Sequence, residues 1–126
     1  MTSTRILVVE DNPKNMKLVR DVLEFAGYEV IEATTGEEGV RLAETERPHL
    51  ILMDLQLPDI DGAEALRRIR VAQDGQNVPV VAVTAFAMDE DRTRAFASGF
   101  DGYVEKPISV SRFQQQVRDF LDRGGV

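Results

Sequence analysis

The stretch Leu50-Ile51-Leu52-Met53-Asp54 decides the fold, because four apolar residues follow one another without interruption and end at a carboxylate. A short apolar run of this kind is typical of a strand that is covered on both faces, as strands in parallel sheets are. Three further runs have the same character; they are Ile6-Leu7-Val8-Val9, Val80-Val81-Ala82-Val83 and Gly102-Tyr103-Val104. The sequence therefore predicts a parallel sheet with helices on both faces.

Segments with helical periodicity and capping residues separate these runs. Asn12 is a predicted N-cap, and proline takes the first position of the helix that follows it. Capping residues at Thr35, Asp61 and Ser109 open three more predicted helices. Another helix, the fourth in chain order, is predicted from about Ala87 to Ser98.

The order of these elements predicts the topology. The segment from Tyr28 to Ala33 has mixed polarity, which favours an edge strand, and it completes a series of five strands alternating with five helices. Right-handed crossovers then give an α/β fold, with a doubly wound, five-stranded parallel sheet in the order 2-1-3-4-5, of the flavodoxin-like type. We expect residues 1–126 to form a single domain with no output domain.

Composition excludes several classes of function. The chain has 126 residues, with 22 acidic and 15 basic side chains and a formal net charge of −7, which argues against a nucleic-acid-binding surface. It has no cysteine, so disulfides, thiolate nucleophiles and cysteine-bound zinc are excluded. No apolar stretch approaches the roughly 20 residues of a membrane span, and we expect no signal peptide, because the N-terminus leads straight into the first strand. We expect a cytoplasmic protein that binds neither nucleic acid nor membrane.

Polar residues follow the apolar runs where the predicted strands end; they are Glu10, Asp11, Asp54, Thr84 and Lys106. Because the carboxyl ends of parallel strands meet at one edge of a sheet, we expect these side chains to lie together. The three carboxylates would repel one another unless a cation lay between them, and Mg²⁺ prefers such oxygen ligands. Asp11 and Asp54 would bind it directly, Glu10 directly or through water, and a backbone carbonyl near Gln56 could supply another oxygen.

A partly hydrated Mg²⁺ in this position is suited to holding a phosphoryl group. Asp54 is the predicted nucleophile, because carboxylates can form acyl phosphates. Lys106 and Thr84 would contact the phosphoryl oxygens with a positive charge and a hydroxyl donor. The chain must turn sharply after Lys106, so the bond to Pro107 is predicted to be cis.

Other phosphate chemistries fit the sequence less well. A phosphatase with an aspartate nucleophile commonly has a second aspartate two positions later, where this chain has Gln56. Neither a P-loop nor a dinucleotide-binding glycine motif follows the first strand. Glu10 and Asp11 would repel the phosphate of a flavin nucleotide unless a metal intervened. His49 precedes the third strand, away from the predicted pocket, and is interpreted as structural or solvated.

With these motifs in place, the chain resembles the response-regulator receiver domains of two-component signalling. The matching segments appear in the right order; they are Val8-Val9-Glu10-Asp11-Asn12, Met53-Asp54-Leu55-Gln56-Leu57-Pro58, Asp61-Gly62, Thr84-Ala85 and Lys106-Pro107. The resemblance implies that Asp54 is the phosphoacceptor and that Lys106 contacts the phosphoryl group. It also implies that Glu10 and Asp11 bind the metal, and that Thr84 and Tyr103 form a switch.

Three segments resemble more closely the DivK-like single-domain receivers that regulate bacterial cell division; they are Asp11–Leu18, Ala82–Met88 and Lys106–Val110. Related segments also occur in receivers fused to hybrid kinases. The resemblance implies a stand-alone response regulator of a bacterial phosphorelay. Such a phosphoprotein is not an enzyme beyond its own phosphotransfer and autodephosphorylation.

The resemblance also implies two kinds of partner. A histidine kinase or histidine phosphotransfer protein would dock near the first helix, where Met16 and Lys17 are candidate contacts. A downstream effector or kinase protein would read a face made by the fourth helix, fifth strand and fifth helix. The alternative function is a receiver-like interaction module that works without phosphorylation.

Overall fold

The structure is a computed structural model that describes residues 4–72, 78–85 and 97–124. Strands and helices alternate from the start of the chain: β1 (Arg5–Val9), α1 (Pro13–Phe25), β2 (Glu29–Ala33), α2 (Gly36–Glu46), β3 (Leu50–Asp54), α3 (Gly62–Ala72), β4 (Val80–Thr84), β5 (Gly102–Glu105) and a C-terminal helix (Val110–Gly124). Among the helices of the described residues, none is both long and apolar enough to cross a membrane.

The five strands form one parallel sheet in the order β2-β1-β3-β4-β5, which confirms the predicted topology. Its three central strands are buried along nearly their whole length, as their uninterrupted apolar sequences predict. Val9 of β1 is paired with Met53 of β3. Glu10, which follows β1, and Asp54, the last residue of β3, therefore lie at the same level of the sheet.

Helices cover both faces of the sheet and give two apolar cores. On one face, α1 and the C-terminal helix pack on the sheet, with Leu23, Phe113 and Val117 at the centre of the core. On the other face, α2 and α3 contribute Ala43, Leu66 and Ile69 among other residues. This double cover leaves the two ends of the strands as the places where polar side chains can gather.

Four of the five predicted helices can be compared with the structure. The described residues contain four helices, and the predicted fourth helix, from about Ala87 to Ser98, falls largely outside them. In the C-terminal helix, Phe113, Val117 and Phe120 are buried, whereas Val110 is 48% exposed. Val110 is the first residue of that helix, where its side chain extends past the edge of the core.

Candidate functional site

Two buried carboxylates lie at the carboxyl end of the sheet. Asp54 is the last residue of β3, and Glu10 directly follows β1, where its backbone N–H donates to Ala33 O at 2.9 Å. The side chains of Glu10 and Asp54 are only 4% and 7% exposed. The parallel register therefore places two acidic groups side by side in a largely desolvated position.

Lys106 connects these two carboxylates. Its Nζ donates to Glu10 Oε1 at 2.7 Å and to Asp54 Oδ2 at 3.0 Å. Its backbone N–H donates to Thr84 O at 2.8 Å, which continues the pairing of β5 with β4 by one residue. The Lys106–Pro107 peptide bond is cis, and the C-terminal helix begins three residues later at Val110.

Burial and pairing shift the protonation of this cluster. Burial raises the pKa of the Glu10 carboxyl, and hydrogen bonds from Lys106 and the Asn12 amide offset only part of that effect. Burial alone would lower the pKa of Lys106, but its hydrogen bonds to Glu10 and Asp54 outweigh burial and leave the pKa raised. Lys106 is therefore charged at neutral pH, held in place by acidic partners.

A third carboxylate, from Asp11, completes an acidic cluster open to solvent on one side. Glu10, Asp11 and Asp54 each offer an oxygen within 4.8 Å of the others, and Asp11 is exposed. Carboxylate oxygens at this spacing are suited to a hard divalent cation such as Mg²⁺. Among the residues that the structure describes, Lys106 is the cation that pairs with these acids, so the three carboxylates keep a formal surplus of negative charge and fit a bound cation.

Gln56 and Asn12 lie at the rim of the cluster. The Gln56 backbone N–H donates to Asp54 Oδ1 at 2.9 Å, so the two Asp54 oxygens have different partners. The Asn12 N–H donates to Glu10 Oε2 at 3.1 Å, and the Asn12 side chain caps α1 by accepting from Lys14 N and Asn15 N. Asn12 thus serves as the helix cap that the sequence predicts.

The two predicted switch residues lie on neighbouring strands. Thr84 is buried at the end of β4 and is paired with Glu105, whereas Tyr103 is half-buried on β5 and is paired with Ala82. Side chains two residues apart on a strand share a face, so Thr84 and Tyr103 lie on the same face of the sheet. Tyr103 packs against the core that α2 and α3 cover.

Of the two predicted contact residues on α1, one is exposed and the other is buried. Lys17 is exposed and forms an ion pair with Asp21 at 2.7 Å. Met16 is only 5% exposed and belongs to the core between α1 and the sheet. The prediction that Met16 contacts a partner is therefore wrong, because this residue extends the buried stripe of Val19 and Leu23 by one turn.

Sequence reasoning missed Asp59, in the loop between β3 and α3. Its carboxylate accepts hydrogen bonds from Gly36 N at 2.8 Å and Glu37 N at 2.9 Å, at the start of α2. These bonds from Glu37 and Gly36 lower the pKa of Asp59. No local pattern indicates this contact, because the partners lie 22 and 23 residues earlier in the chain.

The sequence and fold match one family. The family model of the response regulator receiver domain matches residues 6–118. The chain belongs to the response-regulator receiver family, whose members are signalling proteins of two-component systems rather than classical enzymes.

Two relatives show which kind of receiver domain this chain resembles. The chain is 45% identical to the polar-differentiation response regulator DivK of Brucella anthropi over 92% of this chain and 94% of that protein. It is 44% identical to DivK of Brucella ovis over the same shares. The chain is therefore a receiver domain similar to DivK, as its sequence motifs indicate.

Solved structures share the fold. The receiver domain of the sensor histidine kinase PA1611 from Pseudomonas aeruginosa aligns with a TM-score of 0.87 and 36% identity, over 96% of this chain and 99% of that chain. That structure has a magnesium ion coordinated in its active-site cleft. A CheY-like receiver protein from Methanospirillum hungatei aligns with a TM-score of 0.88 and 31% identity, over 98% of both chains.

Proposed function

We propose that this chain is a stand-alone cytoplasmic response regulator of a bacterial phosphorelay, which accepts a phosphoryl group from a phosphohistidine on Asp54. The observation that carries the proposal is the Lys106 ammonium, which donates to both Glu10 and Asp54 beside a third carboxylate. One lysine and three acids at the carboxyl end of the sheet form an arrangement that can accept both a metal ion and a phosphoryl group.

The metal would be held by carboxylates from two neighbouring strands. Glu10, Asp11 and Asp54 supply oxygens within 4.8 Å of one another. The backbone carbonyl of Gln56 is the proposed fourth protein ligand, since its N–H already holds Gln56 beside Asp54. Bound Mg²⁺ would neutralise negative charge on the phosphoryl oxygens during transfer.

In the transfer step, an Asp54 carboxylate oxygen attacks phosphorus and forms a P–O bond, while the P–N bond to the donor histidine breaks. The electron pair of that bond leaves with the imidazole nitrogen. Lys106 exchanges its hydrogen bond with Asp54 for one with a phosphoryl oxygen, because after transfer the negative charge lies on the phosphoryl oxygens. The Glu10–Lys106 contact, at 2.7 Å, keeps the ammonium close during this exchange.

The test is to find out whether Asp54 is the residue that is modified. Incubation with acetyl phosphate and magnesium should add one acid-stable, base-labile phosphoryl group to the wild type and none to Asp54→Asn. Asp21→Asn is the matched control, because Asp21 is exposed on α1 and distant from the strand ends. Equal labelling of Asp54→Asn would contradict the assignment. A wild type that takes no label but still binds its partner would favour the phosphorylation-independent module.

Output would depend on Thr84 and Tyr103. The Thr84 hydroxyl would move toward the new phosphoryl group, and Tyr103, on the same face, would follow into the space released. This would alter the surface near β5 and the C-terminal helix for a downstream effector or kinase protein. In Thr84→Ala, phosphorylation should proceed, but the change in amide exchange across Gly102–Glu105 should be lost. Retention of that change would contradict the coupling.

A further inference from the structure

The loop between β3 and α3 is tied to a second helix through Asp59. Asp59 Oδ1 accepts from Gly36 N at 2.8 Å, and Oδ2 accepts from Glu37 N at 2.9 Å. Gly36 and Glu37 are the first two residues of α2. The first N–H groups of a helix have no partner within the helix, so a carboxylate from another segment satisfies two of them at once.

Close packing beside these bonds shows that the contact is part of the fold. Gly36 is buried, and a Cβ there would overlap Ile60, the neighbour of Asp59. A side chain at this position would force Ile60 to shift, so glycine suits the close approach of α2 to the loop. Ile60 itself packs against the core under α2 and α3. The loop is thus held against α2 by two hydrogen bonds and an apolar contact.

The same loop adjoins the candidate site at its other end. Gln56 N donates to Asp54 Oδ1 at 2.9 Å, three residues before Asp59. Beyond Asp59, Gly62 N donates to Leu55 O at 3.3 Å, and Asp61 Oδ1 caps α3 by accepting from Glu64 N at 2.8 Å. Between these two fixed ends, the Asp59 bonds hold the middle of the loop.

We propose that Asp59 is a positioning residue for the metal site. By tying the loop to α2, it holds the Gln56 carbonyl and the Asp54 carboxylate in the arrangement that a magnesium ion requires. Magnesium tolerates little departure from octahedral geometry. A loop that is not held in position therefore lowers the affinity for magnesium even when every ligand is present. This proposal rests on the function proposed above and extends the site to α2, which supplies no ligand of its own.

The experiment compares two carboxylates at the start of α2. Asp59→Ala removes the hydrogen bonds that tie the loop to α2, whereas Glu38→Ala removes a carboxylate whose hydrogen bond comes from Thr34 N at 2.9 Å. The readout is the magnesium Kd of the folded protein, measured by calorimetric titration with magnesium alone. Asp59→Ala should weaken binding by about tenfold, the lower end of the range for residues that orient metal ligands. Glu38→Ala should leave the Kd unchanged.

A second readout uses the metal-free protein. In Asp59→Ala, amide exchange should become faster at Gly36 and Glu37, which lose their acceptor, and also at Gln56. Asp59→Asn should fall between wild type and Asp59→Ala, because its amide oxygen can still accept one N–H. A purely structural role for Asp59 would lower the melting temperature but leave both the magnesium Kd and the Gln56 exchange rate unchanged.

The outcomes separate the two proposals. If wild type binds magnesium and Asp59→Ala binds it equally well, the positioning role is overturned while the proposed function stands. If Asp59→Ala and Glu38→Ala weaken binding to the same extent, the effect belongs to α2 and the role of Asp59 is again overturned. A wild-type chain that binds no magnesium would overturn both.

Discussion

Charged side chains are arranged differently at the two ends of the sheet. At the amino end, Arg70 and Asp101 form an ion pair at 2.6 Å, and both are partly exposed. Arg70 also donates to Val78 O, and Asp101 accepts from Val80 N at 2.8 Å. At the carboxyl end, Lys106 faces three carboxylates, and two of them are buried.

This difference indicates what each cluster is for. The amino-end pair joins α3, the start of β4 and the loop before β5. The charges of Arg70 and Asp101 balance, so the pair can serve as a structural contact between these segments. The carboxyl-end cluster keeps surplus negative charge where desolvation makes charge expensive. Surplus charge in such a place is a feature of sites that await a cation, because a purely structural cluster would be more stable if it were balanced.

The largest effect is expected when the carboxyl end loses its lysine. Lys106→Met leaves Glu10 and Asp54 buried without a positive partner and should cost about 3 kcal/mol in the metal-free protein. Arg70→Met at the amino end should cost only about 1 kcal/mol, because its partner is half exposed and can be solvated. Urea unfolding without magnesium measures both. Equal losses in the two variants would show that the two ends do not differ as described.

Magnesium should stabilise the carboxyl end in particular. At a concentration of about 100 times its Kd, it should add about 2.7 kcal/mol to the free energy of unfolding. Asp11→Asn should raise the stability of the metal-free protein or leave it unchanged, since it removes repulsion, and should abolish the magnesium effect. Asp101→Asn, at the amino end, should keep that effect. A wild-type melting temperature that does not respond to magnesium would contradict the comparison.

The smallest effect is expected at a third cluster, on the exposed side of α3. Hydrogen bonds from Arg67 and Arg68 lower the pKa of Glu64 from 4.5 to about 2. A lowered pKa means that folding favours the ionised form, so this contribution is present above pH 4.5 and is lost as the pH falls toward 2.

Glu64→Gln should therefore lower the melting temperature slightly at neutral pH, because the side chain is 34% exposed and solvent screens its ion pairs. The difference between variant and wild type should disappear near pH 2. The measurement is a pair of melting curves at several pH values. A difference that grows on acidification would have the wrong sign for a lowered pKa.

The sequence predicts much of the fold, for identifiable reasons. The apolar runs that end at Glu10 and Asp54 fix where two strands stop, and right-handed crossovers fix which strands are neighbours. The meeting of Glu10, Asp54 and Lys106 at one edge follows from those two constraints, although the residues lie far apart in the chain. The chemical roles of these residues remain predictions.

Other features depend on side-chain packing that no local pattern encodes. Predicting the Asp59 contact with α2 requires knowing how the loop lies against the start of that helix, because Asp59 could equally have been a solvated loop residue. The Arg5 N–H donates to His49 Nδ1 at 3.0 Å, a structural role that the sequence left undecided. Met16 is different, since its spacing of three residues before Val19 indicates burial.

The most direct test of the central claim is the rate at which acetyl phosphate labels Asp54 as magnesium is varied. If the surplus carboxylates of the carboxyl end exist to hold a cation for phosphoryl transfer, the rate should rise with magnesium to a plateau in wild type. In Asp11→Asn the rise should be abolished, and in Asp101→Asn it should be retained. A wild-type rate that is the same in excess chelator as in saturating magnesium would contradict the account.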